Sequence, residues 1–293
     1  MKKKFLKSVY LVIVSIAGIL LSQFADFGPV KPNPVDLQNA GDTVSILNVG
    51  QANSALISSG GEYCLIDAGY TNTGETDAFT YMLSAGVTDI ELVVVTHFHN
   101  DHTSDIIDVM NGFNIKNMVI PNLSMENMPT ASFFSFFLDT AERNDINLIP
   151  ARKGDTYAVG NGNVTILDDT YNDLTINDTS VAVLFTQGDF RYLNTADGES
   201  EYEKRLLKVF DEKVTLFSAG HHGSSTSNSK ELIKAISPQF VAVSAGKDNE
   251  YGHPHKNVLE LLEDKNIPYG ITFRDGTIVY SITENRLLTK QGG

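Results

Sequence analysis

Residues 96–102 read THFHNDH and directly follow an apolar run that has the composition of a buried strand. Alternate side chains of an extended segment point to one side, so His97 and His99 can converge on one cation. Asp101 and His102 then point elsewhere. Four such ligands are too many for one tetrahedral ion that keeps a position open for water, so the motif predicts two adjacent metal ions.

The seven histidines of the chain fall into three short clusters. The second cluster is AGHHGSS, with His221 and His222, and the third is YGHPH, with His253 and His255. Clustered histidines favour metal binding or proton transfer over isolated surface roles. His253 could bind a phosphate oxygen or protonate a leaving group, with a loop-capping role as the alternative, whereas a structural role is preferred for His255.

These clusters follow predicted strands. Strands are expected at residues 43–49, 55–58, 62–66, 90–95, 118–120, 146–149, 157–159, 164–167, 181–186, 190–193, 214–217 and 240–243, with two more at the chain end. Helices are expected at residues 75–85, 131–138, 199–208, 229–235 and 257–265, and just after His102, with Thr103 or Ser104 as the cap. The aromatic segment 131–138 is interpreted as a buried outer helix, with a substrate-facing wall as the alternative.

Asp67 ends the predicted strand at residues 62–66. It could be a turn residue or an outer carboxylate that orients a metal-bound histidine. Ser224 and Ser225 could add hydroxyl or backbone donors to a phosphate. The sequence leaves these alternatives open.

The size and composition favour one large domain. With 293 residues and 42% hydrophobic content, the chain can bury a large core. Alternating groups of strands and helices predict an α+β fold with two facing sheets and helices outside, so that the loops of one edge meet at the metals. The single Cys64 excludes an intrachain disulfide and a cysteine-rich zinc site.

The N-terminal segment predicts export. Residues 1–25 combine four lysines with an apolar run at residues 9–21, which is typical of a signal peptide or an N-terminal membrane anchor. Residues 26–41 are rich in proline and predict a stiff linker, and residues 42–293 form the expected folded domain. The protein is therefore expected outside the cytoplasm, secreted or held at the membrane.

The charge of the chain is strongly acidic. Its formal charge is −14, and it becomes −18 without the four leader lysines, because 18 basic residues then stand against 36 acidic ones. Nucleic-acid-binding surfaces usually depend on clustered lysine and arginine. A broad electrostatic surface for DNA is not expected, although paired cations can themselves receive a phosphate.

The motif HxHxDH at residues 97–102 resembles the signature of the metallo-β-lactamase superfamily, which comprises four-layer αββα hydrolases. More narrowly, the chain is similar to the ComEC-type metallo-hydrolase domain of competence DNA-uptake proteins. The similarity covers about residues 43–280, in the family order. It rests on LNVGQANS from residue 47, LIDAG from 65, NDTSV from 177, NTAD from 194, GHHGS from 220 and YGHP from 251.

The resemblance implies two ligand groups that share one carboxylate. Within the HHG loop, His222 is the preferred ligand and His221 lies next to the reacting group. The implied ligands are His97 and His99 for the first ion, Asp101, His102 and His222 for the second, and Asp197 as the bridge.

Two departures from the wider superfamily follow from the resemblance. Many members have a further histidine where this chain has Asn177 or Asp178, which implies a more oxygen-rich first site and makes manganese a rival to zinc. The usual glycine before the bridging aspartate is Ala196 here.

Without a multi-spanning channel in the same chain, a role in DNA uptake would require a separate channel partner.

The expected activity is metal-dependent phosphodiester hydrolysis, most simply by a nuclease acting on DNA. Asp101, His221 and His253 are the candidate catalytic residues, with Asp101 or Asp197 holding and deprotonating water. Alternatives are another phosphodiester, such as phosphocholine on wall polymers, then a lactam or small ester. A binding module without catalysis is the alternative of another class. Oligomeric state is open.

Overall fold

The computed structural model describes residues 40–70, 76–122, 128–168 and 175–288, all within the compact unit Val35–Gly293. The strands are β1 (Thr43–Ile46), β2 (Ala55–Ser59), β3 (Glu62–Ile66), β4 (Asp89–Val94), β5 (Asn114–Ile120), β6 (Asn147–Pro150), β7 (Thr156–Val159), β8 (Gly162–Asp168), β9 (Ala182–Gln187), β10 (Phe190–Asn194), β11 (Leu216–Ser218), β12 (Phe240–Val243), β13 (Tyr269–Ile271), β14 (Ile278–Ser281) and β15 (Arg286–Leu287). The helices are α1 (Ala78–Ser84), α2 (Asn100–Thr103), α3 (Ile106–Gly112), α4 (Ala131–Arg143), α5 (Ser200–Leu206), α6 (Lys230–Ile236), α7 (Lys256–Asp264) and α8 (Thr272–Asp275), with 3₁₀ turns at Asn177–Thr179 and Gly220–Gly223.

These strands form two mixed sheets. The first sheet has the order β15-β14-β1-β2-β3-β4-β5-β6, and the second has the order β13-β12-β11-β10-β9-β8-β7. Strands β3 to β6 run parallel in the first sheet. Strands β10 to β13 run parallel in the second. Each sheet therefore combines a parallel half with an antiparallel half.

The alternation of side chains along the strands builds the layers. In β3, Cys64 and Ile66 belong to the core between the sheets, whereas Leu65 packs in the core shared with α1, α3 and α4. In β10, Tyr192 faces the central core and Leu193 packs in the core shared with α5, α6 and α7. This is the four-layer αββα sandwich that the sequence predicts, so the fold class is confirmed.

The parallel strands position the polar clusters. Asp67 follows β3 and His97 follows β4 in the first sheet, while Asp197 follows β10 and His221 follows β11 in the second. The carboxyl ends of adjacent parallel strands lie at the same edge of a sheet, where ligands usually bind. Most of the predicted site residues therefore come from the carboxyl ends of the parallel strands, in the first sheet and in the second.

The helix after the histidine motif begins earlier than predicted. Helix α2 starts at Asn100, before His102, and His99 occupies its N-cap position. The hydroxyls of Thr103 and Ser104 do not cap a helix but donate to the carbonyls of His99 and Asn100, four residues back. The predicted cap residues were wrong, because serine and threonine also bond backward inside a helical turn. A helix does follow His102, namely α3, which begins at Ile106 with Asp105 at its N-cap position.

The predicted helix at residues 131–138 is longer and less buried than expected. It extends to Arg143, and Phe137 is buried whereas Phe136 is 50% exposed. Phe133 and Phe134 are partly buried. Between α7 and residue 288, the last one described, the structure has three short strands, β13, β14 and β15, instead of the two predicted.

The predicted leader at residues 1–25 and nearly all of the predicted linker at residues 26–41 lie outside the described residues. Within the described ranges, the helices are too short or too polar to cross a membrane. Export therefore stays a prediction from the sequence.

Candidate metal centre

The first ligand group contains His97, His99 and Asp197, whose candidate ligand atoms all lie within 4.8 Å of one another. His97 and His99 occupy alternate positions after β4, and His97 Nε2 lies 3.1 Å from His99 Nδ1. His97 Nε2 is also 3.9 Å from Asp197 Oδ2. The structure thus brings together the two imidazoles that the alternation predicts.

The second ligand group contains Asp101, His102, Asp197 and His222, again with ligand atoms within 4.8 Å. His222 Nε2 lies 3.2 Å from Asp101 Oδ2, and His102 Nε2 lies 3.2 Å from Asp197 Oδ1. Asp197 therefore directs one oxygen to His102 and the other to His97. A carboxylate with this placement can bridge two cations.

The Asp67 side chain orients His102. Its Oδ2 lies 2.7 Å from His102 Nδ1 and also accepts from the Thr96 hydroxyl, while its Oδ1 accepts from the Thr96 backbone amide. Because an ionised carboxylate only accepts, Nδ1 carries the proton and Nε2 is left to bind a metal. Of the two interpretations of Asp67, the geometry favours the outer carboxylate that orients a histidine.

A backbone carbonyl orients His222. The Nδ1 atom of His222 lies 3.0 Å from the carbonyl oxygen of Ser244, which can only accept, so Nε2 is again free to bind a metal. His221 and His222 have φ angles of 50° and 54°, which lie in the left-handed region. Each such residue costs roughly 1–2 kcal/mol, so the surrounding contacts must hold this loop.

A buried carboxylate supplies such contacts. Glu203 in α5 is completely buried, and its oxygens accept from the backbone amides of Asn228 and Ser229 at 2.5 and 2.9 Å. The Asn228 side chain accepts from the Gly220 amide and donates to the Gly220 carbonyl, both at 2.8 Å. Since α5 closely follows Asp197, this network ties the bridging aspartate to the dihistidine loop.

Ala196, directly before Asp197, adopts a backbone conformation that favours glycine. Its φ of 47° places it in the left-handed region, where glycine is unstrained. The Asn194 side chain accepts from the Ala196 amide at 2.8 Å and helps to hold this conformation.

Burial and charge shift the pKa values in the centre. Burial raises the pKa of Asp197, but the nearby His102 and His222 lower it by a larger amount. The pKa of Asp197 therefore lies well below the usual range. Burial lowers the pKa of His102, but Asp197 and Asp67 raise it well above normal. Burial, followed by the charge of His102, lowers the pKa of His97 well below normal. A cation at the second group would therefore displace a proton from His102.

The donor atoms fit divalent cations. In the described part of the chain, the buried atoms His102 Nε2 and Asp197 Oδ1 lie 3.2 Å apart as an ion pair, but neither forms a hydrogen bond of good geometry. Buried polar atoms without a partner are costly, and a shared metal ion would satisfy both. Imidazole nitrogens combined with carboxylate oxygens suit zinc and also manganese.

A cavity of about 670 Å³ opens over the two groups. Its lining includes His221 and His253, both proposed from the sequence as residues near the reacting group. His221 Nε2 lies 3.6 Å from Asp197 Oδ2. His253 Nδ1 lies 3.2 Å from the Gln51 amide, and burial together with the neighbouring histidines lowers the pKa of His253 to about 4. Because the Gln51 side-chain NH2 donates to Nδ1, a neutral His253 carries its proton on Nε2 and can donate a hydrogen bond from that atom.

The remaining predicted residues divide into two sets. Asn177 lines the cavity, and its Oδ1 is buried without a partner among the described residues. Asp178 instead accepts from the Glu199 backbone amide, and it is not among the described residues that line the cavity. Of the Asn177 and Asp178 alternatives, only the first therefore reaches the cavity.

The Ser224 hydroxyl pairs with Thr226 Oγ1 at 3.1 Å, and the described cavity lining does not include Ser224. His255 accepts from the Ser225 amide at 2.9 Å, which agrees with the structural role preferred for it. The structure thus places these residues in the loop framework, outside the cavity.

Sequence reasoning missed several residues of the site. Gln51 contacts His253, and its Oε1 accepts from the Gly246 amide at 3.0 Å, so it joins two loops of the cavity. Glu203 and Asn228 also went unassigned. A glutamate within an otherwise apolar helix face was the available signal for Glu203, but its partners lie 25 and 26 residues away.

Residues 47–246 match the family model of the metallo-β-lactamase superfamily. The chain belongs to this superfamily. Its curated relatives include ComE operon protein 3 of Bacillus subtilis, 26% identical over 81% of this chain and 32% of that protein. Recombination protein 2 of Haemophilus influenzae is 24% identical over 85% of this chain and 30% of that protein. Competence protein ComA of Neisseria gonorrhoeae is also 24% identical, over 83% of this chain and 32% of that protein.

The chain spans about a third of the length of these curated relatives. Among solved structures, the metallo-β-lactamase fold protein YhfI of Bacillus subtilis aligns with a TM-score of 0.56 and 14% identity over 78% of this chain and 96% of that chain. Igni18, a metallo hydrolase of Ignicoccus hospitalis, aligns with a TM-score of 0.52 and 14% identity over 81% of this chain and 98% of that chain. These structures share the fold. The chain therefore has the hydrolase fold of the superfamily, ComEC-like competence relatives and a candidate divalent metal centre.

Proposed function

We propose that this chain is an extracytoplasmic phosphodiesterase that cleaves DNA with two divalent cations. The observation that carries the proposal is Asp197, which belongs to both ligand groups at the base of an open cavity. The similarity to competence proteins supports DNA as the substrate. Bound at these groups, two cations would neutralise a phosphodiester and make water a stronger acid.

The side chains around the groups divide the remaining work. Asp101 is partly exposed and lines the cavity; burial raises its pKa, but His222 holds the pKa below normal, so the carboxylate is ionised and can accept a hydrogen bond from a water molecule. His221 and His253 lie on the cavity wall, where a ring N–H of each can donate a hydrogen bond to a non-bridging phosphate oxygen. The loops that carry Asp101, His221 and His253 would thus hold a substrate phosphate in a fixed orientation.

The predicted leader supports action outside the cytoplasm, with the chain secreted or anchored by its N-terminal segment. A membrane channel in a separate chain is the partner expected for any role in DNA uptake. These proposals rest on the sequence of residues 1–25 and on the competence relatives.

The test is cleavage of an end-labelled single-stranded DNA by the full chain after loading with zinc or manganese. The matched control is Asp101→Asn, which has nearly the same size and lacks the ionisable oxygen. Metal-dependent cutting by the wild type that disappears in the variant is the expected result. Intact DNA with a chain that binds both ions would overturn the nuclease assignment.

A second candidate is a phosphodiester that carries a cationic group, such as phosphocholine on wall polymers. The supporting observation is the cavity rim, where Asp248 and Glu250 accompany Lys247. Acidic side chains would attract a quaternary ammonium and repel a polyanion. Release of phosphocholine from a chromogenic ester, by a chain that leaves DNA intact, would favour this candidate.

Two further alternatives have distinct outcomes in the same assays. Hydrolysis of a lactam or small ester without phosphodiester cleavage would indicate the third enzymatic candidate. Stoichiometric metal binding without turnover of any of these substrates would agree with a binding module.

A further inference from the structure

The cavity offers little positive charge to a nucleic acid strand. Among the described residues that line it, Lys247 is the one lysine or arginine, and Asp248 and Glu250 are acidic. Proteins usually hold the phosphate backbone through several lysines and arginines. A strand with one phosphodiester at the metal centre therefore needs another source of affinity for its neighbouring nucleotides.

Exposed aromatic rings that line the same cavity provide such a source. Tyr251 and Tyr70 line the cavity and are 60% and 42% exposed. The ring of Tyr251 stacks on His253, with centroids 5.7 Å apart and planes at 25°. His253 is in turn nearly parallel to His222, at 6.1 Å and 21°. A series of rings thus leads from the second ligand group to an exposed tyrosine.

Phe98 forms a third, firmly held ring. It lies between His97 and His99 in the sequence, lines the cavity and is only partly buried. Phe133, Phe134 and Phe137 of α4 pack edge-to-face against it, with centroid distances of 6.3, 6.0 and 5.6 Å. These contacts hold the Phe98 ring in place, while its partial exposure leaves part of the ring accessible from the cavity.

We infer that Tyr251, together with Tyr70 and Phe98, forms a subsite that stacks unpaired nucleobases next to the scissile phosphodiester. The inference rests on the proposed nuclease function. Every nucleobase has a flat π face, so stacking is tolerant of sequence and requires no positive charge on the protein. In a duplex these faces are covered by neighbouring bases, so the subsite selects single-stranded DNA.

The experiment compares two end-labelled strands of equal length, one with normal bases and one with abasic residues around the cleavage position. The full metal-loaded chain is assayed for cleavage and, in parallel, for binding by fluorescence anisotropy. The variants are Tyr251→Ala and Tyr251→Phe. Phe136→Ala is the matched control, because Phe136 is 50% exposed and does not belong to the described cavity lining.

The wild type is expected to bind the normal strand roughly 5- to 100-fold more tightly than the abasic strand. Tyr251→Ala should raise KM for the normal strand within that range, with little change in kcat, and should leave the abasic strand unaffected. Tyr251→Phe keeps the ring and should behave like the wild type, as should Phe136→Ala. A general folding defect would instead affect both strands alike.

The possible failures separate the two proposals. Equal KM and equal binding for the two strands, with cleavage of both, would overturn the stacking subsite and leave the nuclease function standing. Tighter binding of the normal strand without cleavage of either strand would overturn the nuclease function and retain the subsite. A chain that neither binds nor cuts DNA would overturn both.

Discussion

The Asp67 carboxylate lies 2.7 Å from His102 Nδ1, and both side chains are completely buried. The same carboxylate also accepts from the backbone amide and hydroxyl of Thr96, at 2.8 and 2.7 Å. The end of β3 is thereby joined to the start of the histidine motif. The orientation of a predicted metal ligand thus depends on a residue 35 positions earlier.

We expect Asp67→Asn to weaken metal binding at the second ligand group by roughly 10- to 100-fold. The amide keeps the size of the side chain but removes the negative charge that orients and polarises His102. Competition with a chromophoric chelator measures the two metal affinities. Asp89→Asn, an exposed change near the start of β4, serves as control, and unchanged affinities in a folded Asp67→Asn variant would contradict the orienting role.

Removal of divalent cations should lower the unfolding temperature. Ions that bind only the folded chain stabilise it by about 2.7 kcal/mol when their free concentration is one hundred times Kd. Differential scanning calorimetry with EDTA and with added zinc or manganese measures this change. Because Asp197 belongs to both ligand groups, Asp197→Asn should lose most of the metal-dependent shift. A full shift in that variant would argue against the bridge.

Glu203→Gln should destabilise the fold by about 1–3 kcal/mol, because one of two buried backbone amides loses its acceptor. Burial raises the pKa of Glu203 above its ordinary value of 4.5. Because the pKa of Glu203 is higher in the folded chain than in the unfolded chain, protonation of Glu203 stabilises the fold. This stabilisation is fully present below pH 4.5 and is lost as the pH rises through the raised pKa. The cost of the substitution should therefore be larger near pH 4.5 than at neutral pH.

Urea unfolding in EDTA at both pH values measures this difference without a contribution from metal ions. The matched control is Glu201→Gln, since Glu201 lies on the same helix with its side chain exposed and paired with Lys204. This control should change stability little. If Glu203→Gln lowered the free energy of unfolding equally at both pH values, burial would not raise the pKa of the Glu203 carboxyl.

Gly223→Ala should disturb the dihistidine loop more than its backbone angle alone explains. Gly223 has a φ of +80°, and an added Cβ would lie 2.6 Å from Pro254 Cβ. Gly188 also has a positive φ, of +56°, but an added Cβ there meets no described atom within 4 Å. Gly188→Ala should thus cost only the backbone strain, roughly 1–2 kcal/mol.

Thermal unfolding and metal titration of both glycine variants provide the comparison. Gly223→Ala should be the less stable and should also bind the second ion more weakly, because the clash moves the segment that carries His222. Equal effects of the two substitutions would mean that the contact with Pro254 relaxes freely.

The local chemistry of the first cluster is readable because its residues are neighbours in sequence. Alternation after an apolar strand places His97 and His99 on one side, and in the structure His97 Nε2 lies 3.1 Å from His99 Nδ1. Helical boundaries were less predictable. Asn100 begins α2, and Thr103 and Ser104 bond backward, since hydroxyls can serve either a cap or a preceding turn.

By itself, the sequence determined two facing sheets with outer helices and the residue types of two candidate metal groups, because the order of elements along the chain and the ligand spacing are local properties. Its motifs, by resemblance, indicated the metallo-β-lactamase superfamily and its αββα fold. Only the tertiary structure placed the Asp197 carboxylate within 4.8 Å of the ligand atoms of both groups, favoured the orienting role over the turn role for Asp67 and showed that Glu203 holds the dihistidine loop. These relationships join segments from the ends of different strands. The Asp197 distances depend on how the two sheets pack, and the other two relationships depend on which strands pair within a sheet; no spacing along the chain specifies either.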